Sequence, residues 1–164
     1  MFNVLFICTS NSARSIMAEA LLNQLGQGRF RAYSAGTIPR GTPHPRAVAL
    51  LERAGFATDG LQSKHLEVFE GPDAPQMDFV FTVCDRAASE PCPPWPGHPL
   101  SAHWGIPDPV KATGTEAEQA LAFATAFDAM RRRIAAFVAL PMDALDRISL
   151  QKRLDDIGRD AAEK

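Results

Sequence analysis

The fold of this chain is decided by the stretch FNVLFICTSNSARS, residues 2–15. Residues 2–7 are almost continuously apolar, which is typical of a central strand that is covered on both faces. Small polar residues occupy positions 8–12, and the apolar spacing of residues 15–25 predicts a helix that ends at the glycines beyond it. A buried strand that turns through a few polar residues into a helix is the first unit of a parallel α/β sheet.

Strands and helices continue to alternate along the rest of the chain. The predicted strands are residues 2–7, 29–34, 60–64 and 78–83, and the predicted helices are residues 15–25, 43–54, 115–140 and 143–158. Residues 91–109 hold seven of the 13 prolines, a density that predicts an irregular, stiff loop. We expect one α/β domain over residues 1–140, with a four-stranded parallel sheet flanked by helices. Residues 141–164 are expected to be a C-terminal helical extension packed on it.

The composition excludes several classes of protein. A length of 164 residues at 46% hydrophobic content suits one well-packed domain, and a net charge of −2 with both signs dispersed argues against nucleic-acid binding. The first residues carry no basic segment, and their apolar run is too short for a membrane span. We therefore expect a cytoplasmic protein with neither a nucleic-acid nor a membrane partner.

Three cysteines, Cys8, Cys84 and Cys92, are the candidate reactive groups. An odd number of thiols in a reducing compartment does not indicate a disulfide framework, and no C-x-x-C or histidine pair indicates a metal site. A buried, inert thiol is the alternative for each cysteine taken alone. Cys8 and Cys84 both follow predicted strands directly, so we expect them to converge at the carboxyl edge of the sheet.

The segment from Cys8 to Arg14 has the spacing C-x5-R between a strand and a helix. Successive backbone N–H groups of such a turn can point inward and, with the dipole of the following helix, bind an anion. Arg14 adds a planar fork that grips two oxygens of a tetrahedral oxyanion. The residues expected to bind the oxyanion are Thr9, Ser10, Asn11, Ser12, Ala13, Arg14 and Ser15.

Within this loop, Cys8 is the predicted nucleophile. The electropositive surroundings are expected to lower the pKa of its thiol from about 8.5 into the range of about 3.5–7.5. Asn11 suits a left-handed backbone position, and the hydroxyls of Ser12 and Ser15 can donate to the loop or to the thiolate. The alternative is that Cys8 is a core thiol and Arg14 a surface residue of the helix.

Several segments resemble the low-molecular-weight protein tyrosine phosphatase fold. They are Val4 to Asn23, the sequence YSAGT at residues 33–37 and the sequence IPDP at residues 106–109. Within that fold, four further segments are more similar to the arsenate reductases that share it. These are residues 8–15, MAE at 17–19, VCD at 83–85 with CP at 92–93, and HWG at 103–105.

The resemblance implies roles for individual residues. Cys8 would attack the oxyanion, Arg14 would clamp it, and Asp108 would protonate the leaving oxygen. Cys84 and Cys92 would carry a disulfide relay from Cys8 to an external thiol reductant, either thioredoxin or glutaredoxin with glutathione. No tightly bound cofactor is implied. Some such reductases hold potassium near the loop; Lys64 could stand in for that cation here, so no metal is expected.

Two other functions stay open at this stage. One is a phosphatase of the same fold that hydrolyses phosphomonoesters through a phosphocysteine; the other is a non-catalytic regulator that binds an oxyanion or senses oxidants. The loop positions Ser10, Ser12 and Ala13, with residues 110–112, offer no aromatic wall for a phenyl ring. The sequence therefore favours reduction of arsenate to arsenite, with phosphate or sulfate as competitors.

Overall fold

The computed structural model describes residues 1–89 and 95–162. The strands of these residues are β1 Phe2–Cys8, β2 Phe30–Gly36, β3 Phe79–Thr82 and β4 Leu100–His103. The α-helices are α1 Arg14–Leu25, α2 Pro45–Arg53, α3 Asp85–Ser89, α4 Glu116–Val138 and α5 Arg147–Ala162. Short 3-10 helices span Leu66–Phe69 and Pro109–Lys111. None of the helices in these ranges is long and apolar enough to cross a membrane.

The four strands form one parallel sheet in the order β2-β1-β3-β4, which confirms the predicted fold class. The central strand β1 is fully buried from Val4 to Ile7, as expected of a strand covered on both faces. Thr82 at the end of β3 pairs with Ile7, one residue before Cys8. The carboxyl ends of β1 and β3 therefore lie side by side.

The predicted strand at residues 60–64 is wrong. This segment passes the end of β2, where Gly36 donates its amide to the Lys64 carbonyl (2.8 Å) and forms an isolated bridge with His65. The fourth strand is β4, inside the stretch predicted to be irregular. Its residues 100–103 contain no proline, and a short edge strand needs ladder hydrogen bonds on one side only.

Helix α5 starts four residues later and ends later than the predicted 143–158. The Asp146 carboxylate accepts a hydrogen bond from the Ser149 amide (2.7 Å), which satisfies one of the free amides at the start of the helix. Helix α4 starts at a Thr115–Glu118 capping box, close to the predicted boundary. Helix α3, which directly follows Cys84, was not predicted.

Trp104 lies at the centre of the packing between the sheet and the last two helices. Its ring is fully buried and stacks on Phe81 at 3.9 Å between centroids. The indole N–H donates to the Leu154 carbonyl of α5 (3.0 Å), and the Trp104 carbonyl accepts from Arg133 of α4 (2.7 Å). One residue just beyond β4 thus joins α4 and α5 to the sheet.

We expect Trp104→Phe to lower the free energy of unfolding by about 1–3 kcal/mol, because it removes both ring volume and the hydrogen bond to α5. Urea unfolding followed by circular dichroism measures the change. Trp95→Phe is the matched control, since the described residues include no hydrogen-bond partner for the Trp95 indole nitrogen. Equal losses in the two variants would contradict this role of Trp104.

Candidate active site

The loop between β1 and α1 has its carbonyl groups turned outward. Four of them accept hydrogen bonds from amides of residues 37–44: Cys8 from Thr37 (3.2 Å), Thr9 from Ile38 (2.9 Å), Ser10 from Arg40 (2.9 Å) and Ser12 from His44 (2.8 Å). A trans peptide holds its C=O and N–H on opposite sides, so the amides of the same peptide units face the inside of the loop. Such a concave row of N–H groups can hold an anion.

Asn11 fixes the middle of this loop. It takes the left-handed conformation that the sequence predicts, with φ of 46°, and its side chain is fully buried. Its carboxamide oxygen accepts from the Lys64 amide (2.9 Å), and its NH2 group donates to the Ser15 hydroxyl (2.7 Å). Both ends of the side chain are therefore used to hold the loop against its neighbours.

The Cys8 sulfur lies 2.8 Å from the Ser15 hydroxyl oxygen and accepts from the Asn11 amide at 3.2 Å. Because the Ser15 oxygen already accepts from Asn11, its own hydrogen is free to point at the sulfur. Both donors favour the thiolate, but burial outweighs them and raises the pKa of the Cys8 thiol. The expected low pKa is therefore wrong for this geometry, and the nearby Cys84 thiol raises the pKa further.

Gly36 allows the end of β2 to approach the loop. A Cβ atom at this position would lie 2.6 Å from the Thr9 carbonyl oxygen and 3.0 Å from Asn11. The obstacle is backbone rather than the end of a flexible side chain, so any larger residue must displace the loop.

Arg14 and Asp108 meet across the loop. One Arg14 nitrogen donates to the Ile106 carbonyl (2.8 Å), and another lies 3.5 Å from the Asp108 carboxylate. The second oxygen of Asp108 accepts from the Val110 amide (3.0 Å), which fixes the carboxylate at the start of a 3-10 helix. The cation and the carboxylic acid implied by the resemblance therefore face the same space.

Cys84 lies beside the loop, as the strand order requires. Its buried sulfur is 3.3 Å from the Thr9 hydroxyl and also accepts from the Ala87 amide (3.3 Å). Thr9 is the residue next to Cys8, so a single side chain separates the two thiol-bearing segments. Cys92, the third predicted reactive thiol, lies outside the described residues.

A cavity of about 930 Å³ opens above these groups. Thr9, Ser10, Arg14, Cys84 and Asp108 are among the residues that line it. Cys8 is not one of them, since only 2% of it is exposed and it lies beneath the loop. A molecule in this cavity would meet the loop from the side of Thr9 and Arg14.

Behind the loop lies a polar cluster formed by Glu19, Ser34 and Lys64. The Ser34 hydroxyl donates to the Glu19 carboxylate (2.5 Å), and the Lys64 ammonium is 3.8 Å from the same oxygen. Burial raises the pKa of Glu19 and lowers that of Lys64. Lys64 therefore lies in the region where some similar reductases hold a potassium ion. The absence of a metal requirement stays a prediction.

Sequence reasoning missed two groups at the cavity. The His103 ring contacts Thr82 (2.8 Å) on one side and Asp85 (2.7 Å) on the other, so it connects the end of β4 to the residue after Cys84. Helix α5 adds Asp155, Gly158 and Arg159 to the lining. The HWG sequence was the available signal for His103, whereas nothing in the sequence indicated that the predicted C-terminal helix reaches the cavity.

This fold and loop place the chain in a known class. It belongs to the low molecular weight phosphotyrosine protein phosphatase family, whose model matches residues 3–151. The predicted fold resemblance is therefore confirmed.

Within this family the chain is similar to proteins named as arsenate reductases. It is 35% identical over 136 residues to an arsenate reductase of Shouchella clausii, a match that covers 82% of this chain and 93% of that protein. It is 33% identical over 109 residues to a glutaredoxin arsenate reductase of Synechocystis, covering 66% and 79%. A solved arsenate reductase in the phosphate binding state aligns with a TM-score of 0.65 at 27% identity, covering 85% of this chain and 98% of that one.

We expect Ser15→Ala to raise the pKa of Cys8 further, because the variant loses a hydrogen bond that favours the thiolate. The pH dependence of Cys8 alkylation by iodoacetamide, followed by peptide mass spectrometry, should shift to higher pH, with a slower rate at pH 7. Ser10→Ala is the control, since it removes a hydroxyl of the same loop that does not contact Cys8. An unchanged profile for Ser15→Ala would show that the hydroxyl does not act on the thiol.

We expect Gly36→Ala to weaken binding of inorganic phosphate by about tenfold or more, because the loop must move to admit the Cβ atom. Binding is measured as protection of Cys8 from alkylation. Gly71→Ala is the control, since a Cβ atom there meets nothing within 4 Å. If both variants bind phosphate equally well, the loop does not depend on the absence of a side chain at Gly36.

Proposed function

We propose that this protein reduces arsenate to arsenite, with Cys8 as nucleophile and Cys84 as the thiol that resolves the arsenic adduct. The observation that carries the proposal is the position of Cys84, whose sulfur lies 3.3 Å from Thr9 on the loop that begins at Cys8. Hydrolysis through a phosphocysteine needs only Cys8 and water, so it gives no use to a second thiol at this place. The relatives named as arsenate reductases support the same choice.

In the first step the loop amides and Arg14 bind the oxyanion, and Cys8 attacks the arsenic atom. The Cys8 thiol and HAsO4²⁻ together give a Cys8–S–AsO3²⁻ adduct and water. The proton of the Cys8 thiol passes to the Asp108 carboxylate, which then acts as the acid that protonates the leaving oxygen, so that water departs. Because burial raises the pKa of Cys8, this proton is lost as the attack proceeds rather than beforehand.

In the second step the Cys84 sulfur attacks the Cys8 sulfur. The S–As bond breaks and its electron pair stays on arsenic, so As(V) becomes As(III) and arsenite leaves after protonation. Cys8 and Cys84 are then joined by a disulfide, and the two electrons have come from the two thiols. Cys92 would attack Cys84 next, which frees Cys8 and moves the disulfide to the Cys84–Cys92 pair.

An external thiol must reduce that last disulfide. Thioredoxin and glutaredoxin with glutathione are the two candidates, and the glutaredoxin arsenate reductase relative supports the second. Both belong to a reducing compartment, in agreement with the cytoplasmic location that we propose.

The cavity walls support a small inorganic substrate over an aryl phosphate. Among the described residues, no Phe, Tyr or Trp lines the cavity, and Trp104 is committed to the core. A phenyl ring would therefore lack the flat partners that favour it. Phosphate and sulfate share the tetrahedral shape of arsenate and should compete with it.

The test is arsenite release by the wild type, Cys84→Ser and Cys92→Ser with each reductant system. We expect Cys84→Ser to release no arsenite. We expect Cys92→Ser to release one equivalent and then stop as a Cys8–Cys84 disulfide, which mass spectrometry detects. Protection of Cys8 from alkylation by inorganic phosphate in the same three proteins is the control for an intact loop, and hydrolysis of an aryl phosphate is measured alongside.

Full multiple turnover in both variants would overturn the relay. Fast aryl-phosphate hydrolysis without arsenite release would identify a phosphatase. Absence of both activities in the wild type would leave an oxyanion- or oxidant-sensing protein.

A further inference from the structure

Helix α5 forms one wall of the cavity above the loop. Its residues Asp155, Gly158 and Arg159 line the same space as Arg14 and Cys84. The family model ends at residue 151, so these three residues lie beyond the part of the chain that the family accounts for. Nothing in the reaction described above uses them.

The position of α5 on the sheet is closely constrained. A Cβ atom at Gly158 would lie 2.5 Å from the His103 carbonyl oxygen, so only glycine lets the helix approach β4 this closely. Gln151 donates to the Ser101 carbonyl (2.7 Å), and the Leu154 side chain is fully buried. Arg159 follows Gly158 directly, so these contacts also hold its backbone at the edge of the cavity.

The cavity is lined by side chains of both charges, so a cation at its edge affects how an anion binds. Among the described lining residues, three carboxylates, Asp85, Asp108 and Asp155, oppose three cations, Arg14, Lys111 and Arg159. Arg14 already pairs with Asp108, and Arg159 pairs with Asp156 on the same helix. Loss of Arg159 would therefore leave the neighbouring carboxylates Asp155 and Asp156 without this cation beside the cavity, and their negative charge would repel a doubly charged oxyanion.

We propose that Arg159 is a binding residue that draws the dianionic oxyanion into the cavity, a role that rests on the proposed function. Arg159 pairs with Asp156 on the same helix, and its side chain is 63% exposed although the residue lines the cavity. It acts on encounter and binding of the anion, whereas the bonds that form and break belong to Cys8 and Cys84.

The test compares Arg159→Glu with Arg153→Glu at low ionic strength. Arg153 is exposed on the same helix, is not among the residues that line the cavity, and lies about 120° around the axis from Arg159. The two variants have the same net charge. We expect Arg159→Glu to raise KM for arsenate about threefold or more with kcat little changed, and Arg153→Glu to change neither.

A second readout does not depend on turnover. The concentration of inorganic phosphate that half-protects Cys8 from alkylation should rise by a similar factor in Arg159→Glu only. It should return toward the wild-type value in Arg159→Lys, and the difference should shrink at high salt. If the wild type fails to reduce arsenate, the proposed function is wrong, but this readout still tests Arg159.

Two results would overturn the proposal. One is the same effect in Arg159→Glu and Arg153→Glu, because it would reflect overall charge and not the cavity. The other is a fall in kcat with KM and phosphate protection unchanged, because Arg159 would then act on a later step.

Discussion

The candidate site depends on the hydrogen bonds made by the buried side chain of Asn11. Its oxygen holds the Lys64 amide, its NH2 group holds Ser15, and its own backbone amide reaches the Cys8 sulfur. Asn11 makes all three contacts from a left-handed backbone conformation, which asparagine adopts more readily than most residues. The shape of the loop and the environment of the thiol are therefore set by the same few bonds, so neither can change without the other.

The Cys8 sulfur must be shielded from water and must also be able to carry negative charge, and these two requirements conflict. Burial excludes water from the reacting sulfur but disfavours its charged form, and burial is the largest influence on its pKa. The Ser15 hydroxyl and the Asn11 amide offset part of that effect. In the proposed reaction the thiol proton moves during the attack, so no free thiolate has to accumulate.

Features that depend on neighbours in sequence could be predicted, and those that depend on distant pairing could not. The apolar run of residues 2–7 and the polar turn after it identified the central strand and the loop, including the left-handed Asn11. Residues 60–64 and 100–103 are both short segments, and only pairing with β3 distinguishes the real strand from the other segment. The pKa of Cys8 was misjudged because local spacing shows the helix and the arginine but not the depth of burial.

The same reasoning explains why α5 was expected to pack on the body but not to reach the cavity. Strand β4 is the edge of the sheet, and an uncovered edge leaves backbone groups such as the Ser101 carbonyl without a partner. A helix that covers this edge through Gln151 and Leu154 is brought close to β3, because β4 is its neighbour. Since Cys84 follows β3, the helix that protects the edge also lines the cavity that Cys84 lines. The packing of α5 on β4 therefore both covers the edge of the sheet and forms one wall of the cavity.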